Sequence, residues 1–235
     1  MASGKLMVTE HFFPDRERAS AAAAAHIAAA LADRLGRGAA AALVVSGGTS
    51  PVECFRQLAS ASLDWSRVNI LLSDERWVPP TDAASNERLV RAELLQDQAA
   101  AAQLLPIYAP AANPAERCAA LDEAFASVPR PLACALLGMG ADGHFASLFP
   151  DADTLQQGLD PQSAAAYVPV KTAASPHTRI SMTYAALRDS DGIALLFFGA
   201  DKHAVYEQAA AGDAGLPVTH LLGQTKVPVH VFWAE

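Results

Sequence analysis

The sequence predicts an α/β fold: a mostly parallel central sheet with helices on both faces. Three observations predict it. Short apolar runs alternate with helical patterns along the whole chain. Several runs are apolar without alternation, as expected of strands covered on both faces. Polar, glycine-bearing clusters follow the runs, where open α/β sheets place their ligands.

The first helix is expected over residues 14–35. Pro14-Asp15 gives it a start and Gly36 a stop. Its centre, ASAAAAAHIAAALA, has high helix propensity. Ile27, Leu31 and Leu35 recur at helical spacing, which predicts a packed helix rather than a low-complexity tract. AALVVS (41–46) reads as a strand, followed by a helix over 51–60 with Pro51 at its first position. RVNILLS (67–73) is the next strand, and Ser85 is a candidate N-cap for a helix over 86–96. QLLPIY (103–108) follows as a strand, then Asn113 and Pro114 open a helix over 114–126. LACALLG (132–138), GIALLFFG (192–199) and VPVHVFW (227–233) complete the strands, with a helix over 201–211 between the last two. No repeat and no Pro/Gly/Ser linker divides the chain, so residues 1–235 are expected to form one domain.

A chain of 235 residues can bury a sizeable core. With 51% hydrophobic and 18% charged residues, disorder is disfavoured. No apolar run is long enough to cross a membrane. MASGKLMVTEHFF lacks the basic and apolar regions of a secretory leader. Cys54, Cys118 and Cys134 are odd in number and widely spaced, which fits neither a zinc site nor a disulfide framework. A reducing, cytoplasmic setting is the expectation. The net charge of −8 argues against nucleic acid or an anionic membrane as partner, and leaves a small anionic ligand open.

Four polar clusters stand at strand ends. In VVSGGTSPVECF, Gly47 and Gly48 allow a tight turn whose N–H groups, with a helix N-terminus, make an anion site. Thr49 and Ser50 add hydroxyls; a plain strand-to-helix turn is the alternative. No Walker lysine is present, which argues against a nucleoside triphosphate. In ILLSDERWVPPTDAASN, Asp74 can orient a substrate or catalytic group and Arg76 can hold an anion bidentately, or the three charges can be a solvated loop. GMGADGHFASLFP has the glycine spacing of a dinucleotide loop. Pro150 leaves room for only one and a half helical turns after Gly143, and Asp142 would face the pyrophosphate, so a nicotinamide cofactor is disfavoured. The alternatives are a structural His–Asp hydrogen bond, or proton chemistry by His144 with Asp142 fixing its tautomer. Arg179 and Lys202 form the fourth cluster. Lys202 in the first turn of a helix opposes the dipole, a penalty that a bound phosphate would reverse; an exposed lysine is the alternative. His177 and His203 read as surface residues.

SGGTSP, SDERWVPPTDAASN, GMGADGHFASLFP, and SPHTRISMT with GADK resemble, in order and spacing, the 6-phosphogluconolactonases, from about residue 12 to 233. The SGGT turn is shared with the related glucosamine-6-phosphate deaminases. The resemblance implies a three-layer Rossmann-like fold without NAD, and no metal requirement. It implies hydrolysis of 6-phospho-D-glucono-1,5-lactone, a phosphorylated sugar lactone, to 6-phosphogluconate. By position, His144 is implied as general base, with Asp142 beside it and Asp74 nearby. The Gly47–Ser50 turn, Arg179 and Lys202 are implied as the phosphate clamp, and Arg76 as a substrate contact. Phe145 departs from a common Thr and bears on packing behind the site. Phe149 replaces the Glu of the deaminases and favours the lactonase. A sugar-phosphate isomerase or deaminase, and a non-catalytic sugar-phosphate sensor, are the remaining alternatives; monomer and dimer are both open.

Overall fold

The computed structural model describes residues 7–110 and 113–235; the first six residues of the leader and single-domain readings lie outside them. The described chain opens with β1 (Val8–Phe12). No apolar run marks this strand: VTEHF carries three polar residues and lies at a sheet edge. α1 (Arg16–Gly36) follows. Asp15 caps it by accepting from the Arg18 amide at 2.8 Å. Ala19, Ala23, Ile27, Leu31 and Leu35 form its buried stripe.

Next come β2 (Ala41–Val45), α2 (Val52–Ala59), β3 (Val68–Leu72), β4 (Asp74–Arg76), α3 (Asn86–Glu93), β5 (Gln103–Leu105), α4 (Pro114–Ala126) and β6 (Cys134–Leu137). The chain continues through α5 (Leu155–Leu159), β7 (Tyr167–Val170), β8 (Arg179–Met182), α6 (Tyr184–Leu187), β9 (Ile193–Phe198), α7 (Ala200–Ala210), α8 (Thr219–Leu222) and β10 (Val229–Ala234). Ser85 and Asn113 cap α3 and α4 by accepting from amides three residues on.

Seven strands form one parallel sheet in the order β1-β10-β9-β6-β2-β3-β5. Every residue of β2 and β6 is buried, so both faces of the sheet centre are covered. α1 lies across β10, β9, β6 and β2 and packs against α2. From β2 the chain steps to β3 and β5; from β6 it steps the opposite way, to β9 and β10. The crossovers diverge between these two neighbours and leave a crevice at their carboxyl ends.

A second sheet, β4-β8-β7, is antiparallel. The chain passes into it through Ser73. The Ser73 amide still donates to Val45 O at 2.8 Å, while its carbonyl accepts from the Met182 amide at 2.7 Å.

Two expected elements end well short of their expected bounds, and one stretch lacks the helix its length allows. β5 ends at Leu105, because Pro106 has no N–H to continue the ladder. α3 ends at Glu93, where the Leu94 and Leu95 amides both turn back to Val90 O. The 138–150 stretch contains no helix, not even the short one its length allows: it is a series of turns.

Candidate active site

The turn after β2 shows why two of its neighbours must be what they are. A Cβ at Gly47 would sit 1.9 Å from Asn86 Oδ1. Glycine there makes room for the Asn86 side chain, which locks the turn to the next strand. Asn86 Nδ2 donates to Asp74 O at 2.9 Å, and its Oδ1 accepts from Arg76 Nη1 at 3.1 Å. Pro51 stands just before α2 rather than as its first residue.

The Asp-Glu-Arg run is a strand, not a solvated loop. Its side chains alternate, as strand geometry requires. Glu75 points away from the cleft and caps α3. Its carboxylate accepts from the amides of Asn86 and Glu87, both at 2.7 Å, from the Arg76 amide at 2.8 Å and from Ser85 Oγ at 2.9 Å. Burial raises the Glu75 pKa above the usual carboxylate value, against the lowering effect of these four donors. Asp74 and Arg76 face the other way. Asp74 is buried and accepts from Ser147 Oγ at 2.5 Å and Ser73 Oγ at 3.0 Å. Arg76 lies directly opposite Arg179 in the β4–β8 ladder. Like charges so placed repel. Burial lowers the Arg179 pKa, the Asp74 carboxylate 3.5 Å away opposes that, and Arg76 adds to it.

The 138–150 turns place the histidine. His144 Nδ1 lies 2.5 Å from Asp142 Oδ1. A Cβ at Gly140 would come 2.2 Å from that same ring nitrogen, so glycine is what admits the imidazole. The Gly140 amide donates to His144 O at 2.9 Å and closes the turn. Burial would raise the Asp142 pKa, but the hydrogen bond and charge of His144 outweigh it and the pKa lies below the usual value. Asp142 is therefore a carboxylate at neutral pH. Phe145 is fully buried behind the loop, beside Tyr184.

One cleft of about 260 Å³ collects these groups. Every site residue read from the sequence lines it except Asp142, which reaches it through His144. The imidazole of His144 and the cations Arg76, Arg179 and Lys202 thus share one wall-to-wall space, with Asp74 as their single acidic partner on the lining. The local charge is positive in a chain of net charge −8. Lys202 stands in the first turn of α7; burial lowers its pKa, while the Asp142 charge holds it up. Among the described residues no three His, Cys, Asp or Glu side chains converge as a metal cage. Asn86 and Ser147 also belong to the site or its supports, and nothing in their residue types alone marks them; Phe149, read from the sequence only as the residue in place of the deaminase Glu, packs against His144 and Arg179. His177 and His203 are half-buried rather than surface residues. The His203 ring packs at 4.5 Å on Trp233 and 5.4 Å on Phe12.

The chain matches the family described as "Glucosamine-6-phosphate isomerases/6-phosphogluconolactonase" over residues 14–233. A 6-phosphogluconolactonase of Mesorhizobium japonicum is 40% identical over 222 residues, covering 94% of this chain and 93% of the relative. One from Rhizobium meliloti is 38% identical over 227 residues, covering 95% and 97%. The crystal structure of a 6-phosphogluconolactonase from Shewanella baltica superposes with a TM-score of 0.92 at 36% identity, covering 98% of this chain and all of that one.

Proposed function

The chain belongs to the glucosamine-6-phosphate isomerase/6-phosphogluconolactonase family, and from that premise we infer how its cleft works as a lactonase. The reaction is hydrolysis of 6-phospho-D-glucono-1,5-lactone to 6-phospho-D-gluconate, in the oxidative branch of the pentose phosphate pathway. One observation carries the reading: an imidazole paired with a carboxylate faces three cations in a single small cleft.

His144 Nδ1 is committed to Asp142, which leaves Nε2 to take a proton. A water attacks the lactone C1 and gives its proton to Nε2. Asp142, ionised, stabilises the imidazolium that forms and holds the tautomer. General-base help of this kind supplies about 10²–10⁴-fold. The oxyanion at C1 takes donors from Arg76 or from the 138–144 turn. As the tetrahedral species collapses, the C1–O5 bond breaks and the imidazolium protonates the departing ring oxygen. The products are one carboxylic acid and one hydroxyl, and His144 is neutral again. Arg179, Lys202 and the Gly47–Ser50 turn grip the phosphate and do no bond chemistry. They place the carbonyl, so remote binding lowers the barrier by orientation.

Phe149 has no proton to give, which favours lactone hydrolysis over amino-sugar ring opening. The three cysteines are free and buried, as suits a cytoplasmic enzyme.

The test is a lactonase assay with freshly made phosphogluconolactone, at mildly acidic pH to suppress spontaneous hydrolysis. Parallel assays measure ammonia from glucosamine 6-phosphate and NADH formation. Acid release from the lactone alone is expected. Ammonia release without lactonase activity would overturn the reading.

A further inference from the structure

Phe149 lines no wall of the cleft, yet it touches both of its working ends. Its ring centroid lies 4.0 Å from that of His144, with 33° between the planes. The Arg179 guanidinium carbon lies 5.2 Å from the same ring. Phe149 is only 5% exposed, so packing holds it in place.

The imidazole needs such a support. Among the described residues its one side-chain hydrogen bond is at Nδ1, to Asp142. With the ring tethered at Cγ and bonded at Nδ1, coupled rotation about χ1 and χ2, the Asp142 carboxylate following, can still carry Nε2 off line. The tilted phenyl ring packed against the imidazole restricts that motion. The backbone that carries Phe149 is itself pinned. Ala146 is held at φ +50, a conformation uncommon outside glycine. The Ser147 amide donates to Ser181 Oγ at 3.1 Å, and its hydroxyl bonds to Asp74 at 2.5 Å and lies 3.4 Å from Arg179 Nη1.

We propose that Phe149 is a positioning residue that fixes the orientation of His144 and its spacing from Arg179, so that carbonyl and phosphate of the lactone are engaged together. This rests on the lactonase reading and extends it to a residue without polar atoms. Misplacing a reacting group by about 1 Å can cost about 10²-fold in rate.

The test compares Phe149→Leu and Phe149→Met, which fill similar space without an aromatic ring, with Phe149→Tyr, which keeps the ring. Steady-state kinetics on phosphogluconolactone and thermal melting are measured for each. Phe149→Leu and Phe149→Met should lose about tenfold or more in kcat with KM within about threefold, while Phe149→Tyr keeps kcat within about threefold. A ring-less variant with near-normal kcat overturns the proposal, as does a Phe149→Tyr that falls as far as Phe149→Leu. If Phe149→Leu does not fold, the Met and Tyr variants decide. A wild-type chain without lactonase activity sinks the functional reading instead, so the two failures are distinct.

Discussion

The two sheets serve the site in opposite ways. β2 and β6 of the parallel sheet are buried at every residue and hold only Ala, Leu, Val and Cys. Covered on both faces, they can present functional groups only beyond their ends, and the glycine turn and the His144 loop are those ends. The antiparallel sheet carries its charges on the strands themselves: Asp74 and Arg76 on β4, Arg179 on β8. Its ladder fixes the spacing of two arginines that would otherwise separate. On the proposed function, the His144 loop of the large sheet supplies the proton chemistry, while its Gly47–Ser50 turn and Lys202 share the phosphate grip with Arg179 on a rigid strand of the small sheet.

The largest expected effect breaks the loop side of this contrast. His144→Ala should lower kcat by about 10²–10⁴-fold with little change in KM. Near-normal kcat would remove His144 from the role of base. Next is the strand side. Arg179→Ala also strips Asp74 of its nearest cation, and breaking a buried pair within a fold costs about 3–5 kcal/mol of stability, so a melt accompanies the kinetics. KM for the phosphorylated lactone should rise on the order of a hundredfold. Hydrolysis of the unphosphorylated lactone should hardly move; an equal loss on both substrates would show that the strand does not grip phosphate.

The same contrast explains what could be read in advance. β2, β3, β6 and β9 are legible because two-sided burial writes them as apolar runs bounded by turn residues; β10 is mostly buried, and the edge strand β5 shows only as a short Leu-Leu run before Pro106. The small sheet writes no such run. β4 is three charged residues, β7 contains Pro169, and β8 is four residues long. The charged lining residues were visible as polar clusters at strand ends. Asn86 and Ser147 were not, and Phe149 stood out only as the residue in place of the deaminase Glu, not for its contacts, because what these three do is relational. Asn86 fills space that Gly47 leaves empty, and Phe149 meets an arginine thirty positions away. One faint signal existed: the sequence places two glycines before a helix where a tight turn needs only one, and the extra one asks what approaches it.

Glu75 sharpens the contrast at the level of stability. It shares β4 with two cleft residues but points to α3, where it satisfies two helix N-terminal amides. Glu75→Gln sets an amide NH₂ against those donors, and should cost about 1–3 kcal/mol. Tm should fall by about 5 °C, with a smaller effect on KM through Arg76. An unchanged Tm would mean that β4 does not depend on this cap.

The smallest effect lies at the far edge of the large sheet, where a cluster of histidines avoids positive charge rather than pairing it. His11 Nε2 sits 3.2 Å from His230 Nδ1 across β1 and β10, and the His26 ring of α1 lies 4.2 Å from that of His230. Burial, reinforced by His230 and His11, lowers the His26 pKa from 6.5 to about 4; burial, then His11, lowers that of His230. Above pH 6.5 neither the folded nor the unfolded chain holds the His26 proton. Between pH 6.5 and about 4 the unfolded chain binds it and the folded chain does not, so stability falls as pH falls through that window. His26 is partly exposed, and solvent screening keeps the loss small. His26→Gln, which cannot titrate, should flatten part of that slope in melts across the window while leaving kcat unchanged. A slope identical to wild type would place the acid sensitivity elsewhere, and would mean that the large sheet tolerates a charge at its edge as readily as the small sheet does on its strands.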